Sequence, residues 1–299
     1  MQQPRAKRVA EPGQQRAGEL YAFASVLLWS LFPFLVHREL NPLTPLFTAA
    51  FSTLLAVVPL GCVLALRGRW RDLTVRAAWM PMLHATLLIG VLFYGLLFWA
   101  ARRTSPINIS LLALIEVPLS FLLLSSISSE RPTRLQTWGA AAMLFGAVVI
   151  LSPWKARPEP GDIVVIVACL LPPFGNYCAK QARLLVGAET ILLVRSAISG
   201  LLLLAAAWAL EPPPSGALIG AAMPFVLLNG ILLMGISKIF WTEALYRLPI
   251  PKAVSSFALG PPLTMVLSFA LLKQPPTAAQ WIALLPVCGG VLLVVRRTG

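Results

Sequence analysis

The sequence predicts an all-α membrane protein of ten transmembrane helices, folded as two inverted five-helix repeats with both termini in the cytoplasm. Three observations predict it. Hydrophobic residues make up 58% of the 299 and charged residues only 12%, whereas soluble domains carry about 25% charged residues. Lipid is therefore the solvent for most of the chain, which excludes soluble enzymes, nucleic-acid binders and secreted disulfide scaffolds. The apolar residues fall in continuous runs long enough to cross a bilayer as helices, not in the alternating segments of a barrel. Finally, the second half of the chain repeats the first.

Taken in order, residues 1–17 form a polar, basic cytoplasmic tail. The first run, 19–37, is too long for a signal-peptide core and no small-residue cleavage site follows it, so it is expected to remain as a span. Further spans are expected at 44–66, 77–100, 106–127 and 135–152, which complete a first repeat over 18–155. A second repeat over 156–299 holds spans at 161–180, 189–210, 217–242, 252–272 and 277–295. Short loops leave no room for a soluble domain. Cys62, Cys169, Cys178 and Cys288 lie in or beside apolar runs without CxxC spacing and read as small hydrophobes.

The net charge of +13 is read by position. With the N-terminus in the cytoplasm, 16 of the 24 Lys and Arg side chains fall on that side and 6 on the other, leaving Arg195 and Lys238 inside spans. This asymmetry obeys the positive-inside rule. An even number of spans requires the same placement of the termini.

Residues 112–151 slide onto 256–295 without a gap, at an offset of 144. That register superimposes Pro118 on Pro262, Pro132 on Pro276, Thr133 on Thr277, Gln136 on Gln280 and Gly146 on Gly290. Phe98-Trp99 matches Phe240-Trp241 once two residues are allowed in the loop. Five spans per repeat force the second copy to enter the membrane from the other side. Inverted repeats of this kind are typical of secondary transporters, whose site lies near the midplane between the repeats.

Mid-span prolines at Pro118, Pro172, Pro173, Pro261 and Pro262 point to kinks around such a cavity, since each removes a backbone hydrogen bond. Glu116, near the midplane, is a candidate contact for a substrate ammonium or a proton carrier, against a structural hydrogen bond to a neighbouring helix. His84 is a candidate on the third span, sharing a face with Leu88, Val91 and Gly95; Gly90 and Tyr94 complete the set there. Lys238 is a candidate that also has the option of snorkelling, as has Arg195. Glu243 and Arg247 have the spacing of a helix-end ion pair, and Asn176 and Asn229 are polar liners. Trp29, Phe32, Phe93, Phe174 and Trp241 offer aromatic surface to a ligand. Trp70, Trp79, Trp138, Trp154 and Trp208 read as interfacial belt residues, and Gly139, Gly146, Gly289 and Gly290 as close helix contacts.

These features together resemble the drug/metabolite transporter superfamily, built from two EamA-type repeats. The resemblance rests on Phe98-Trp99-Ala100-Ala101 through Thr104-Ser105-Pro106, on Pro118, on the Ser129-Glu130-Arg131-Pro132 turn and on the Gly-rich fifth span through Gly146. Leu28-Trp29-Ser30 and Trp281 with Val287-Cys288-Gly289-Gly290 are similar to aromatic amino acid exporters of that superfamily. It implies ten helices around a central cavity lined mainly by spans 1, 3, 4, 6, 8 and 9, and export by alternating access. The expected function is export of amino acids, aromatic and other neutral ones, across a bacterial inner membrane. Efflux of aromatic cations is the alternative within this fold, and a channel or scaffold the alternative outside it. An enzyme is not expected, because the two histidines lie apart and no nucleophile is paired with a base. No cofactor, metal or nucleic acid is called for; the partners are a small metabolite and the lipid bilayer, and a monomer suffices.

Overall fold

The computed structural model describes residues 12–39, 42–125, 133–151, 159–249, 252–253, 256–273 and 275–295. Most of the basic tail, the Ser129–Pro132 turn, Trp154, Lys155, Arg157, Gln274, Arg296 and Arg297 lie outside these residues. Every regular element among the described residues is helical. Among the described residues six helices are long and apolar enough to cross a membrane: α1 (Gly13–Val36), α2 (Pro45–Leu66), α3 (Arg76–Ala101), α6 (Pro160–Arg183), α7 (Ala188–Leu210) and α8 (Gly216–Arg247). Shorter helices are α4 (Pro106–Ser120), α5 (Arg134–Leu151), α9 (Gly260–Leu272) and α10 (Ala278–Val295). Large apolar side chains such as Phe145, Val266, Leu285 and Leu292 point outward. That is the surface a protein dissolved in lipid presents.

The helices are interrupted at matching places in the two halves. Helix α1 breaks at Ser30–Leu31, just before Pro33, and α6 breaks at Leu170–Leu171, just before Pro172. A wide π-helical stretch covers Thr86–Phe93 in α3 and Leu228–Ile236 in α8, each a few residues after an in-helix proline, Pro81 and Pro224. A tight 3-10 turn occupies Ala113–Ile115 in α4 and Ser256–Leu259 before α9, ahead of Pro118 and Pro262. Proline withholds an N–H and collides with the preceding turn, so the backbone either widens or tightens nearby. The starts of the two π stretches are 142 residues apart, the offset that aligned Phe98-Trp99 with Phe240-Trp241.

The repeated Thr-x-x-Gln has a structural meaning. The Thr133 N–H donates to Gln136 Oε1 at 2.9 Å and the Gln136 N–H to Thr133 Oγ1 at 3.3 Å, and Thr277 and Gln280 do the same at the same distances. Each is a reciprocal capping box that satisfies two orphan donors at the start of α5 or α10. Those two helices then run side by side. A Cβ on Gly290 would lie 2.4 Å from the Gly139 carbonyl, and one on Gly146 would lie 2.4 Å from Val287 Cγ2. Small residues are what permit the approach.

The halves interdigitate: α1 packs along α8, and α6 packs along α3. Helices α2 and α7 pack on each other and are tied down at both ends by carboxylates. Glu211 accepts from Thr44 Oγ1 at 2.6 Å and from the N–H groups of Leu46 and Phe47 at 3.0 and 3.2 Å, capping α2. At the other end Asp72 accepts from the Gly187 N–H at 2.7 Å and Thr190 Oγ1 at 3.2 Å, capping α7. Glu211→Ala removes the acceptor of the Leu46 and Phe47 N–H groups at the start of α2 and is expected to cost about 2 kcal/mol. A lower melting temperature in detergent checks this; no change would show that water replaces the cap.

Candidate substrate cavity

The broken helices leave a cavity of about 100 Å³ at the centre of the bundle, room for several water molecules. Its walls come from α1, α3, α4, α6, α7 and α8 and from the stretch around Phe257 to Thr264. Because α1 breaks at Ser30–Leu31, Trp29 and Phe32 are brought together and stack, with centroids 4.2 Å apart and planes 10° apart. Phe32 meets the buried Phe98 edge-on at 5.5 Å, and Tyr94 lies 6.4 Å from Trp29. Phe93 and Tyr94, at the end of the π stretch of α3, extend this wall. Trp241 and Phe257 face each other at 4.8 Å on another side. These pairings rigidify a flat apolar surface.

The polar groups converge from four helices. Glu116 follows the 3-10 turn of α4 and begins the helical stretch that contains Pro118. Its Oε1 accepts from Asn176 Nδ2 of α6 at 3.0 Å, and Asn176 Oδ1 accepts from Trp241 Nε1 of α8 at 3.5 Å. The carboxylate is thus positioned by a short chain of donors. Lys238 of α8 is 7% exposed and lays its ammonium 3.2 Å from the centroid of the Trp29 ring. Arg195 of α7 is 6% exposed and also lines the cavity. Glu116 and Arg195 are both within Coulombic reach of Lys238. The thiol of Cys169 points at the carbonyls of Leu112 and Ala113, 3.9 and 3.8 Å away, where α4 departs from α-helical geometry.

Eight of the eleven residues expected from sequence to bind substrate line this cavity: Trp29, Phe32, Phe93, Tyr94, Glu116, Asn176, Lys238 and Trp241. Gly90 lies beside it, buried against α7, where a Cβ would meet Ser199 Cβ at 2.7 Å and Arg195 Cγ at 3.1 Å. The structure leaves two candidates outside. His84 is on the exposed face of α3, its Nδ1 2.8 Å from the Met80 carbonyl oxygen. Phe174 is exposed because it sits two residues from both Pro172 and Asn176, roughly 200° around the helix from each. Asn229 is buried away from the cavity, its Nδ2 3.3 Å from Ser52 Oγ. Glu243 and Arg247 do pair, with Arg183 joining Glu243 at 2.8 Å. Neither Arg195 nor Lys238 snorkels. The signal for Arg195 was its place in the sequence: seven residues into a 23-residue apolar helix, about 10 Å from its start.

Residues 16–152, and again residues 159–296, match the EamA-like transporter family. The chain belongs to that family. Among relatives of this EamA-like transporter, one from Streptantibioticus cattleyicolor, named a probable terminal-alkyne amino-acid exporter, is 27% identical over 86% of this chain and 83% of its own length. The inner membrane transporter YedA of Escherichia coli K12 is 25% identical over 91% of this chain and 88% of its own. A solved crystal structure superimposes with a TM-score of 0.73 at 20% identity, covering 93% of this chain and 96% of that one, which shows a shared fold. The EamA-like transporter is therefore a multi-pass protein of the inner membrane, and not an enzyme.

Proposed function

We propose that this EamA-like transporter exports neutral amino acids, aromatic ones included, by alternating access through the central cavity. The observation that carries the reading is the convergence of the Asn176-held carboxylate of Glu116, two buried cations and the Trp29–Phe32 stack on one small cavity. A zwitterion with an apolar side chain has a partner for each of its parts there. The name of the Streptantibioticus relative supports the same substrate class.

In this reading all ten helices span the membrane, as inverted repeats over 18–155 and 156–299, and both termini are cytoplasmic. Helix-end contacts support it. Glu19 of α1 meets Lys252 at 2.6 Å, and both belong to the cytoplasmic end of the ten-span topology. At the opposite end Asp162 of α6 accepts from Thr104 and, at 3.1 Å, from Asn108 Nδ2 of α4. Lys252 and Asn108 are 144 residues apart, the repeat offset. Each contact joins one half to the other, so rocking one half against the other loosens one while keeping the second. Cells that express the chain and generate phenylalanine internally from a dipeptide should release it faster than vector-only cells. Equal release would overturn the reading.

A further inference from the structure

The cavity holds more positive than negative charge. Arg195 and Lys238 both face it from α7 and α8, against the single carboxylate of Glu116. Among the described residues no carboxylate lies within 4.0 Å of either cation; the ion pairs there join other residues near helix ends. Glu116 is itself engaged by Asn176. Both cations are more than nine-tenths buried. A buried cation that lacks an ion pair is costly in a low-dielectric interior, and Glu116, within Coulombic reach of Lys238 but held by Asn176, offsets that cost only in part; within a membrane such a residue marks a pathway or a ligand. The aromatic face of Trp29 under Lys238 compensates only part of that cost.

Arg195 reaches the cavity from α7, packed with Ser199 against Gly90 of α3. Gly90 lies in the π stretch of α3 against α7, and its missing side chain leaves space where a Cβ would crowd Arg195 Cγ. We propose that Arg195 and Lys238 form an anion subsite for the substrate carboxylate, so that a carboxylate is required for transport and an ammonium is not. The inference rests on reading the cavity as the substrate site. It widens the substrate class to aromatic monocarboxylates that lack an amino group, and it excludes aromatic amines. Glu116 then serves the ammonium of those substrates that carry one.

The test uses the purified protein in proteoliposomes, with radiolabelled phenylalanine, phenyllactate and phenethylamine, and with protein-free liposomes as the blank. Phenyllactate should enter saturably and compete with phenylalanine, while phenethylamine should stay at the blank. Arg195→Gln should lower phenyllactate uptake by at least about 10-fold, the factor a lost charge-assisted hydrogen bond gives, and Arg195→Lys should recover part of it. Glu116→Gln should lower phenylalanine uptake more than phenyllactate uptake. Competition on the unaltered protein and its thermal shift with phenyllactate decide the matter even if the Arg195 variants do not fold. Uptake of phenyllactate without phenylalanine would keep the subsite and discard the amino-acid reading. Phenethylamine carried as well as phenyllactate, or no uptake and no thermal shift with any carboxylate, would overturn the subsite.

Discussion

Glu116→Gln lowers phenylalanine transport by roughly 10- to 100-fold and leaves the protein folded. Glutamine has the shape of glutamate and keeps an oxygen to accept from Asn176 Nδ2, the contact that holds residue 116 at 3.0 Å. What it removes is the negative charge proposed to meet a substrate ammonium. A hydrogen bond to a charged group is worth about 1.5–3 kcal/mol, and each 1.4 kcal/mol is tenfold. The remaining cavity charge, Lys238 and Arg195, then repels the ammonium and adds to the loss. Initial rates of uptake, normalised to reconstituted protein and accompanied by an unchanged gel-filtration profile, check this. A rise in KM at constant maximal rate assigns Glu116 to substrate binding, and unchanged transport refutes its role.

Gly290→Val has the largest expected effect on the fold. The added Cβ would stand 2.4 Å from the Gly139 carbonyl oxygen and 3.1 Å from the Met143 nitrogen, so backbone would have to move as well as side chain. Ordinary overpacking costs about 1–3 kcal/mol. With the close contact between α5 and α10 pried apart, the upper end of that range is expected, a fall in melting temperature of roughly 10 °C. The adjacent glycine provides the control, because a Cβ on Gly289 meets nothing within 4 Å. Gly289→Ala should leave the melting temperature unchanged or raise it slightly, since alanine is the better helix former. Equal effects at both positions would show that the destabilisation is not steric.

Much of this was legible in the chain because the relevant signals are local or repeated. Hydropathy marks the helices, and the Pro-Thr-x-x-Gln repeat marks two identical caps. The offset found from Phe98-Trp99 and Phe240-Trp241 also relates the two π stretches. What the sequence concealed is the phase of the helices. A π-helical turn holds an extra residue, which rotates everything beyond it by about 100° relative to a 3.6-residue count. Spacing puts His84 and Phe93 on opposite faces, about 180° apart, without showing which of them turns inward; the structure turns Phe93 and Tyr94 to the cavity and His84 outward. The same holds for Phe174, whose direction is set by where α6 restarts at Pro172. The packing of Arg195 involves Gly90, a residue of another helix 105 positions earlier, and no local pattern carries that contact.

Uptake of radiolabelled phenylalanine into proteoliposomes of the purified protein shows whether this cavity moves amino acids. Saturable uptake above protein-free liposomes, reduced by unlabelled neutral amino acids, is the expected result. Saturable movement of an aromatic cation with no uptake of phenylalanine or any other amino acid would contradict it, and would leave the fold and the family as all that stands.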